Sequence, residues 1–482
     1  MNRKMVFYMF GRIGQIVGGL LLLPAVVALI YGEYLQLWSF VGVAVGAVAG
    51  GTVISLCCRT KNKVIYAKEG FAIVSLAWIC MSAVGALPFV VSGEISSYVD
   101  ALFETVSGFT TTGASILRDV EAMSKSMLFW RSFTHWVGGM GVLVFVMAIV
   151  SNMTDRSIHI MRAEMPGPVV GKLVPRGRDT AKILYLIYIV MTLVQIIMLA
   201  LGDMDLFESI VHTFGTAGTG GFGIKSASLG AYSDYSQIVI GVFMLLFGIN
   251  FNLYFLLLIG RFKTVLKSTE LWAYLAIAAS GVAVITLNIL PQYGDFGSAL
   301  KDSFFQTSSI MTTTGYSTAN FDVWPSLSKG VLMILMCIGS CAGSTAGGLK
   351  VSRVVLLFKL VLGEIKRMLH PRAVTSVKFE GKAVDKHTLN SVLIYFAVYV
   401  FCAIAAFLAV SFEPFSFDTN FSAVIATFNN IGPGFGAVGP NGSFAYYSDF
   451  SKIIFSFAML LGRLEIFPLV IALSPSTWRK SR

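Results

Sequence analysis

Residues 309–317 read Ser-Ile-Met-Thr-Thr-Thr-Gly-Tyr-Ser, a run of hydroxyl side chains around one glycine, and long apolar segments flank it. Hydrocarbon tolerates non-helical backbone only where protein buries it or water reaches it, so a Thr/Gly loop at membrane depth should line an aqueous path. Related loops occur at Thr110–Ser115, Gly218–Gly223 and Asn429–Gly434, each after a short apolar stretch and before a long one. Four such loops in one chain predict a ring.

The composition is that of a polytopic membrane protein. Apolar residues make up 56% of the 482 residues and charged residues only 13%, whereas about 25% charged residues is usual in soluble domains. The net charge of +11 does not indicate a nucleic-acid-binding protein, because the Lys and Arg residues lie mainly in short loops between apolar spans. We therefore expect a lipid membrane, and no nucleic acid, around this chain.

The cysteines and histidines show no metal-ligand spacing. The six cysteines lie inside or at the edge of apolar segments, where they are expected to behave as small hydrophobic residues. No covalently bound cofactor is expected.

Ten segments have the composition of membrane spans, which need about 20 apolar residues each. They cover residues 8–31, 37–58, 70–92, 127–151, 181–202, 235–260, 271–291, 327–362, 389–411 and 450–474. Basic residues concentrate after the second, fourth, sixth and eighth spans and at the end of the chain. By the positive-inside rule these loops and both chain termini are cytoplasmic.

Most acidic residues fall on the opposite side of the predicted membrane. A negative pore mouth raises the local concentration of cations, which would suit a cation path that opens outward. The same bias is equally well explained as the complement of the positive-inside rule.

From the third span onward, the order of span, short amphipathic stretch, Thr/Gly loop and span repeats four times. Two spans per unit return the chain to the side it left, so rotation about the membrane normal relates the units. The short stretches are predicted as half-helices whose C-termini point at the loops, where the helix dipole favours a cation. They cover residues 98–109, 205–216, 300–311 and 418–428.

The predicted fold is therefore an all-α polytopic membrane protein with two N-terminal spans and four parallel repeats around a single pore. Each repeat contains a span, a pore helix, a filter loop and a second span. The N-terminal spans occupy residues 1–69, and the repeats occupy residues 70–155, 156–265, 266–370 and 371–482.

The loops have the chemistry of a selectivity filter for a dehydrated potassium ion. A ring of backbone carbonyls replaces the hydration shell of the ion, glycine lets carbonyls aim inward, and threonine adds hydroxyls. Close helix packing through small residues is the alternative, but it explains one loop better than four copies at the same place in a repeat. The candidate potassium ligands are Thr111, Thr112, Gly113, Thr219, Gly220, Gly221, Thr313, Thr314, Gly315, Asn430, Ile431 and Gly432.

Four stretches resemble the filter loops of the Trk/Ktr/HKT superfamily of cation transporters, and in particular those of bacterial Trk membrane subunits. They are Ser107–Ser115, Gly218–Phe222, Thr312–Tyr316 and Phe428–Gly434. The resemblance extends over essentially the whole chain and implies potassium uptake across the bacterial inner membrane, with one filter glycine per repeat. It also implies a homodimer with one pore per protomer, controlled by a peripheral cytosolic subunit with Rossmann-type dinucleotide-binding domains.

Two repeats depart from the Thr-Thr-Gly pattern. The second has Gly220 beside Gly221, and the fourth has Asn430 and Ile431 in place of the threonines. The loop residues themselves therefore do not predict discrimination against sodium, and selectivity for potassium is expected only because the family resemblance implies it.

The eighth predicted span is too long, because an unbroken helix over residues 327–362 would extend about 54 Å at 1.5 Å per residue. Gly339–Gly348 is predicted to break it below the filter, either as a flexible plug across the pore or as a kink packed tightly through its glycines. The candidate gate residues in this stretch are Gly343, Ser344, Thr345, Ala346, Gly347 and Gly348.

Arg463 lies inside the tenth predicted span, about 20 Å below its outer end and at the depth of the glycine-rich stretch. A charged residue within a span by default faces a cavity and has a function. It would oppose cation flow and donate to loop carbonyls, unless it pairs with Glu465 or snorkels toward the cytoplasm. The family resemblance supports a gate made from the loop and this arginine.

Other classes of function fit less well. A sodium- or proton-coupled symporter of the same fold is the open alternative, whereas a transporter of an organic solute would usually have inverted repeats. A membrane enzyme would need clustered acid, base or metal ligands within the spans. The chain has no P-loop motif, so any control by a nucleotide must come from a partner protein.

Overall fold

A computed structural model of the chain describes residues 2–60, 67–141, 177–371 and 376–478, and these residues form an all-α polytopic membrane fold. Within them, six helices are long and apolar enough to cross a membrane, and eight spans result if each of two bent helix pairs counts as one. The end of the fourth predicted span, residues 142–151, and the predicted boundary between the first two repeats lie outside the described residues.

Two N-terminal spans precede the repeats. The first is broken once, into α1 and α2, and the second is the single helix α3. Their bounds are Arg3–Leu20, Leu22–Tyr31 and Tyr34–Cys57. Helices α1 and α3 approach so closely that a Cβ added to Gly11 or to Gly51 would overlap the carbonyl oxygen of the other residue.

Four units of similar design follow. Each begins with a long helix, which we call the first helix, and continues with a shorter helix that ends at a Thr/Gly loop. The chain then returns through what we call the second helix of the unit. In the first unit these are α4 (Ala67–Val91), α5 (Tyr98–Phe109) and α6 (Lys125–Gly139). In the second they are α7 (Gly177–Ala200), α8 (Leu206–Ala217), α9 (Asp234–Phe247), α10 (Phe251–Leu258) and α11 (Phe262–Leu266).

The third and fourth units have the same order of elements. The third contains α12 (Thr269–Tyr293), α13 (Phe296–Met311), α14 (Ser326–Ile338) and α15 (Val351–Leu369). The fourth contains α16 (Lys386–Val410), α17 (Phe417–Phe428), α18 (Asp449–Arg463), α19 (Phe467–Leu473) and α20 (Pro475–Trp478). Strands β1 (Lys378–Phe379) and β2 (Lys382–Ala383) form an antiparallel hairpin between α15 and α16.

The second helix breaks in more units than the sequence predicted. The break predicted within Gly339–Gly348 is confirmed, since α14 ends at Ile338 and α15 begins at Val351. Residues 235–260 and 450–474 were each predicted as one span, but each forms two helices, at angles of 89° and 118°. In the fourth unit, positive φ angles of 54° at Glu465 and 65° at Ile466 turn the chain.

Carboxylates fix the start of the second helix in three units. The N-cap residues of α6, α9 and α18 are Ser124, Ser233 and Ser448. The backbone N–H of each donates to a carboxylate from the loop after the first helix, at 3.2 Å to Glu94, 2.8 Å to Asp203 and 3.0 Å to Glu413. These acidic residues therefore anchor helix ends.

Removing the Ser233 hydroxyl, which donates to the Asp203 anchor, should weaken the fold in a pH-dependent way. Burial tends to raise the pKa of Asp203, but hydrogen bonds from Ser233 and Ser236 outweigh it and lower the pKa from 3.8 to about 2. The lowered pKa contributes stability above about pH 4, and this contribution is lost as the pH falls toward 2. Ser233→Ala should lower the free energy of unfolding by about 1 kcal/mol at pH 6, the usual value of an N-cap, and by less at pH 3.

Thermal unfolding midpoints in detergent at the two pH values would measure this difference. Ser391→Ala is the control, because the exposed Ser391 hydroxyl bonds only within its own helix, to the carbonyl of His387. An equal destabilisation by Ser233→Ala at both pH values would contradict the role of the Asp203 carboxylate.

Candidate cation pathway

The four short helices α5, α8, α13 and α17 end in the same way. In α5, the N–H of Thr111 donates to the carbonyl of Gly108 at 3.1 Å and the N–H of Thr112 to the carbonyl of Ser107 at 2.8 Å. These two bonds define a Schellman motif, in which the residue after the C-cap adopts a left-handed conformation. The bond that corresponds to Thr112–Ser107 is present in the other three units. It is donated by the N–H groups of Gly220, Thr314 and Ile431 and measures 2.8, 2.8 and 2.9 Å.

The left-handed residue of each motif is not a glycine, as is usual, but a threonine or an asparagine. Thr111, Thr219, Thr313 and Asn430 have φ angles of 56°, 56°, 54° and 57°. A β-branched residue avoids this region, so the surrounding structure must hold it there. The same strained backbone at four equivalent positions points to a functional site.

Two residues further on, a glycine turns the chain again in every unit. Gly113, Gly221, Gly315 and Gly432 have φ angles of 77°, 76°, 85° and 97°. The residue between the two turns, which is Thr112, Gly220, Thr314 or Ile431, presents its carbonyl toward the neighbouring unit.

The four loops contact one another in a closed ring. A Cβ added to Gly113 would overlap the carbonyl oxygen of Gly220, and one added to Gly221 would overlap that of Thr314. A Cβ on Gly315 would overlap the carbonyl oxygen of Ile431, and one on Gly432 would lie 2.8 Å from that of Thr112. The contacts therefore run from unit one to two, three, four and back to one.

The left-handed positions, one residue before these carbonyls in the chain, carry side-chain oxygens. Among the described residues, Thr111 Oγ1 and Asn430 Oδ1 are buried without a hydrogen-bond partner. Thr313 Oγ1 accepts a bond of 2.7 Å from the backbone of Gly347, and Thr219 Oγ1 donates to the carbonyl of Gly218. The twelve residues predicted as ligands thus lie in the four loops that contact one another, and their carbonyl and side-chain oxygens are of the type that suits a dehydrated alkali cation.

The second unit departs from the Thr-Thr-Gly pattern because His135 occupies the space of a side chain. Its ring would overlap a Cβ at Gly220, and its backbone would overlap one at Gly218. His135 Nδ1 lies 2.8 Å from the carbonyl oxygen of Gly108, and the N–H of Phe222 donates to Nε2 at 3.3 Å. The buried imidazole therefore braces loops one and two.

A cavity of about 180 Å³ lies on one side of the ring and is lined by all four filter glycines. We call this the vestibule side. Its charged lining residues are Arg118, Arg131 and Lys225. Arg131 pairs with Glu104 at 2.7 Å, and Lys225 with Glu208 at 3.4 Å. The lining of this cavity is thus basic, and the acidic residues nearby bind basic side chains or helix ends.

The loop that joins α14 to α15, residues 339–350, lies against the Thr/Gly loops of the third and fourth units. The N–H of Gly347 donates to Thr313 of the filter, and a Cβ at Gly347 would overlap the carbonyl oxygen of Asn429. The Thr345 hydroxyl donates to the carbonyl of Phe247 at 3.3 Å. Gly343 accepts from the N–H of Phe251 at 3.0 Å. The loop therefore contacts units two, three and four.

Arg463 connects this loop to the first unit. Its Nη1 donates to the carbonyl of Thr345 at 2.7 Å, and its Nη2 donates to the carbonyls of Gly138 and Gly139 at 2.5 and 2.7 Å. The predicted contact between Arg463 and the loop carbonyls is confirmed. Glu465, the alternative partner, instead binds Arg353, with the shorter contact at 2.5 Å.

Three residues around the loop were missed by the sequence reasoning. Glu270 Oε1 accepts from the N–H groups of Ala342 at 2.7 Å and Ser352 at 3.2 Å, and so holds both ends of the loop. The ammonium group of the buried Lys350 donates to the carbonyl of Ala346, and Arg353 forms the ion pair with Glu465. Lys350 and Arg353 carried the same signal as Arg463, a charge inside a predicted span.

Comparison with known proteins gives consistent results over nearly the whole chain. Residues 39–480 match the family model TrkH, described as a cation transport protein. The chain is 36% identical to the Trk system potassium uptake protein TrkH of Escherichia coli strain K12, and the alignment covers 100% of both chains. It is 34% identical to the Trk system potassium uptake protein TrkG of the same strain, over 99% of each chain.

A solved structure is also similar. The crystal structure of the potassium transporter TrkH from Vibrio parahaemolyticus superposes with a TM-score of 0.89 at 33% sequence identity. The superposition covers 99% of this chain and 100% of the other.

Gly220→Ala should distort the ring, because the added methyl group overlaps the His135 imidazole. We expect K⁺ to raise the thermal unfolding midpoint of the purified wild-type protein above its value in choline, since a ligand that binds only the folded state stabilises it. Gly220→Ala should lose this difference, and the double variant His135→Ala/Gly220→Ala should regain part of it.

Gly330→Ala is the matched control, because a Cβ at Gly330 meets open space. If Gly220→Ala kept the full K⁺-dependent stabilisation, the ring of loops would not be the cation site.

Proposed function

Because the chain belongs to the TrkH family of cation transport proteins, we propose that it takes up potassium ions across the bacterial inner membrane through the ring of four loops. The observation that carries the proposal is the closed ring, in which each filter glycine contacts a carbonyl of the next unit. The printed names of the TrkH and TrkG relatives, which are potassium uptake proteins, support K⁺ as the transported ion.

The potassium ligands in this proposal are the twelve filter residues. The carbonyl oxygens of Thr112, Gly220, Thr314 and Ile431 form the central ring, and the left-handed residues below them add side-chain oxygens. The dipoles of the four short helices place partial negative charge at the same point, which favours a cation. The repeat boundaries at 70–155, 156–265, 266–370 and 371–482 are part of the proposal.

The gate in this proposal consists of residues 343–348 and Arg463. Support comes from the hydrogen bond between Gly347 and the filter residue Thr313, and from the three carbonyls to which Arg463 donates. A fixed positive charge below the filter repels a cation that leaves it. Release of Arg463 from Thr345 would free the loop to move aside.

The orientation follows from the loop charges. Basic residues after the second and sixth spans and at the end of α15 support an orientation with the gate side and both termini in the cytoplasm and the vestibule side outside. Potassium would then reach the filter first and the gate second.

Control by a nucleotide would come from a partner protein, since the sequence carries no P-loop motif. We assign this role to a peripheral regulatory subunit with Rossmann-type dinucleotide-binding domains, acting on a homodimer with one pore per protomer. The long helix α15, which begins directly after the gate loop and ends at Leu369 with Lys366 and Arg367 in its last turn, would transmit the movement of this subunit to the loop.

Sodium- or proton-coupled symport through the same pathway is the second candidate. The observation that favours it is the presence of two buried ionisable residues, Glu270 and Lys350, in contact with the gate loop. Rubidium uptake into proteoliposomes with and without a sodium or proton gradient separates the two. An uncoupled channel takes up rubidium down its own gradient at a rate that the sodium or proton gradient leaves unchanged.

Arg463→Ala should raise rubidium flux through the purified protein in liposomes by about tenfold, which corresponds to lowering the barrier by about 1.4 kcal/mol. The variant loses both the positive charge below the filter and the donor that holds Thr345. The control is Arg367→Ala, which removes an exposed arginine that pairs with Glu364 of the same helix. Unchanged or lower flux in a correctly folded Arg463→Ala protein would contradict the gate.

A further inference from the structure

A buried ion pair lies beside filter loops one and two, and the position of its acidic residue holds no acidic residue in the other three units. Glu104 of α5 and Arg131 of α6 are joined at 2.7 Å, and their side chains are 0% and 3% exposed. Burying two charges is costly unless further hydrogen bonds satisfy them. The partners of this pair therefore indicate its role.

The pair binds the chain segments that leave filter loops one and two. Glu104 accepts from the hydroxyl of Ser115 at 2.9 Å and from the N–H of Ile116 at 2.9 Å. Arg131 donates to the hydroxyl of Ser115 and to the carbonyl of Gly223, both at 3.3 Å, and its guanidinium lies 4.1 Å from the centre of the Phe222 ring. Ser115 and Gly223 each lie two residues after a filter glycine.

The position of Glu104 has polar equivalents in two other units. Gln306 also lies nine residues before its filter glycine, and its Nε2 donates to Ser317 Oγ at 3.1 Å, where Ser317 corresponds to Ser115. His212, at the same position of unit two, contacts the hydroxyl of Tyr232 at 3.1 Å. The fourth unit has Ala423 there. A neutral side chain at this position is thus compatible with the fold, and within the described part of the chain a charged pair at this position joins two loops in unit one alone.

Resting on the proposed potassium uptake, we infer that the Glu104–Arg131 pair is a specificity-determining element that holds the filter at the width of K⁺. The carbonyls of Thr112 and Gly220 lie one residue before Gly113 and Gly221, so the pair fixes the chain just beyond two of the four loops that form the ring. Without the pair, these two loops can move inward and coordinate the smaller Na⁺. Both residues are positioning residues, since neither lies in the ring itself.

The variant that tests this is Glu104→Gln/Arg131→Leu. It leaves no unpaired buried charge, and it gives unit one a glutamine at the position where unit three has Gln306. We expect the double variant to fold and to transport rubidium, with the ratio of rubidium to sodium uptake about tenfold below that of the wild type. That is the size set by the loss of one charge-assisted hydrogen bond.

Arg131→Lys is the second variant, in case the double variant fails to fold. It keeps the positive charge but loses the fork that reaches Glu104, Ser115 and Gly223 together, which lysine does not reproduce. We expect a smaller fall in the ratio.

The matched control is Asp100→Asn/Lys452→Met. It removes another ion pair of α5, joined at 2.5 Å, near the start of the helix and away from the loops. Its uptake ratio should equal that of the wild type.

The measured quantities are the initial rates of rubidium and sodium uptake into proteoliposomes, together with the unfolding midpoint. A wild-type ratio in a folded Glu104→Gln/Arg131→Leu or Arg131→Lys protein would overturn the inference. So would an equal fall in the control, since any lost ion pair would then have the same effect. If the wild-type protein carried neither ion, the proposed potassium uptake itself would fail.

Discussion

The structure depends on the contact between each filter glycine and a carbonyl of the next loop. No side chain fits between the loops at these four points, so the ring closes only if every unit supplies a glycine there. The glycine in turn follows a Schellman motif whose left-handed residue is Thr or Asn. The end of each short helix, the direction of its dipole and the position of its carbonyl are thereby set together, and the rest of the unit holds this geometry in place.

The four loops of the ring share one backbone conformation but differ in the side chains that hold them in place. His135 braces the second loop and explains its extra glycine, while Glu104 and Arg131 join the first loop to the second. On the other face, the hydrogen bond from Gly347 ties the third loop to the segment proposed as the gate. A single polypeptide can differentiate its repeats in this way, so that one pair of loops is joined by a buried ion pair and another contacts the segment proposed as the gate.

Much of this arrangement was predictable from the sequence, because hydrophobic length, loop charge and a repeated Thr/Gly pattern are local signals. They gave the helical membrane fold, the loops and the break at Gly339–Gly348. The breaks after Phe247 and Arg463 were missed, since they depend on close contacts such as that of Gly248 with Ser340. The roles of His135 and Glu270 were missed for the same reason, because their partners lie 87 and 72 residues away in the chain.

Anomalous X-ray diffraction from crystals grown in rubidium would test the central claim most directly, because it locates the ion without relying on flux. The account predicts one anomalous peak on the axis of the ring, among the carbonyl oxygens of Thr112, Gly220, Thr314 and Ile431, and its loss when choline replaces rubidium. A peak elsewhere in the protein, with none inside the ring, would contradict the account.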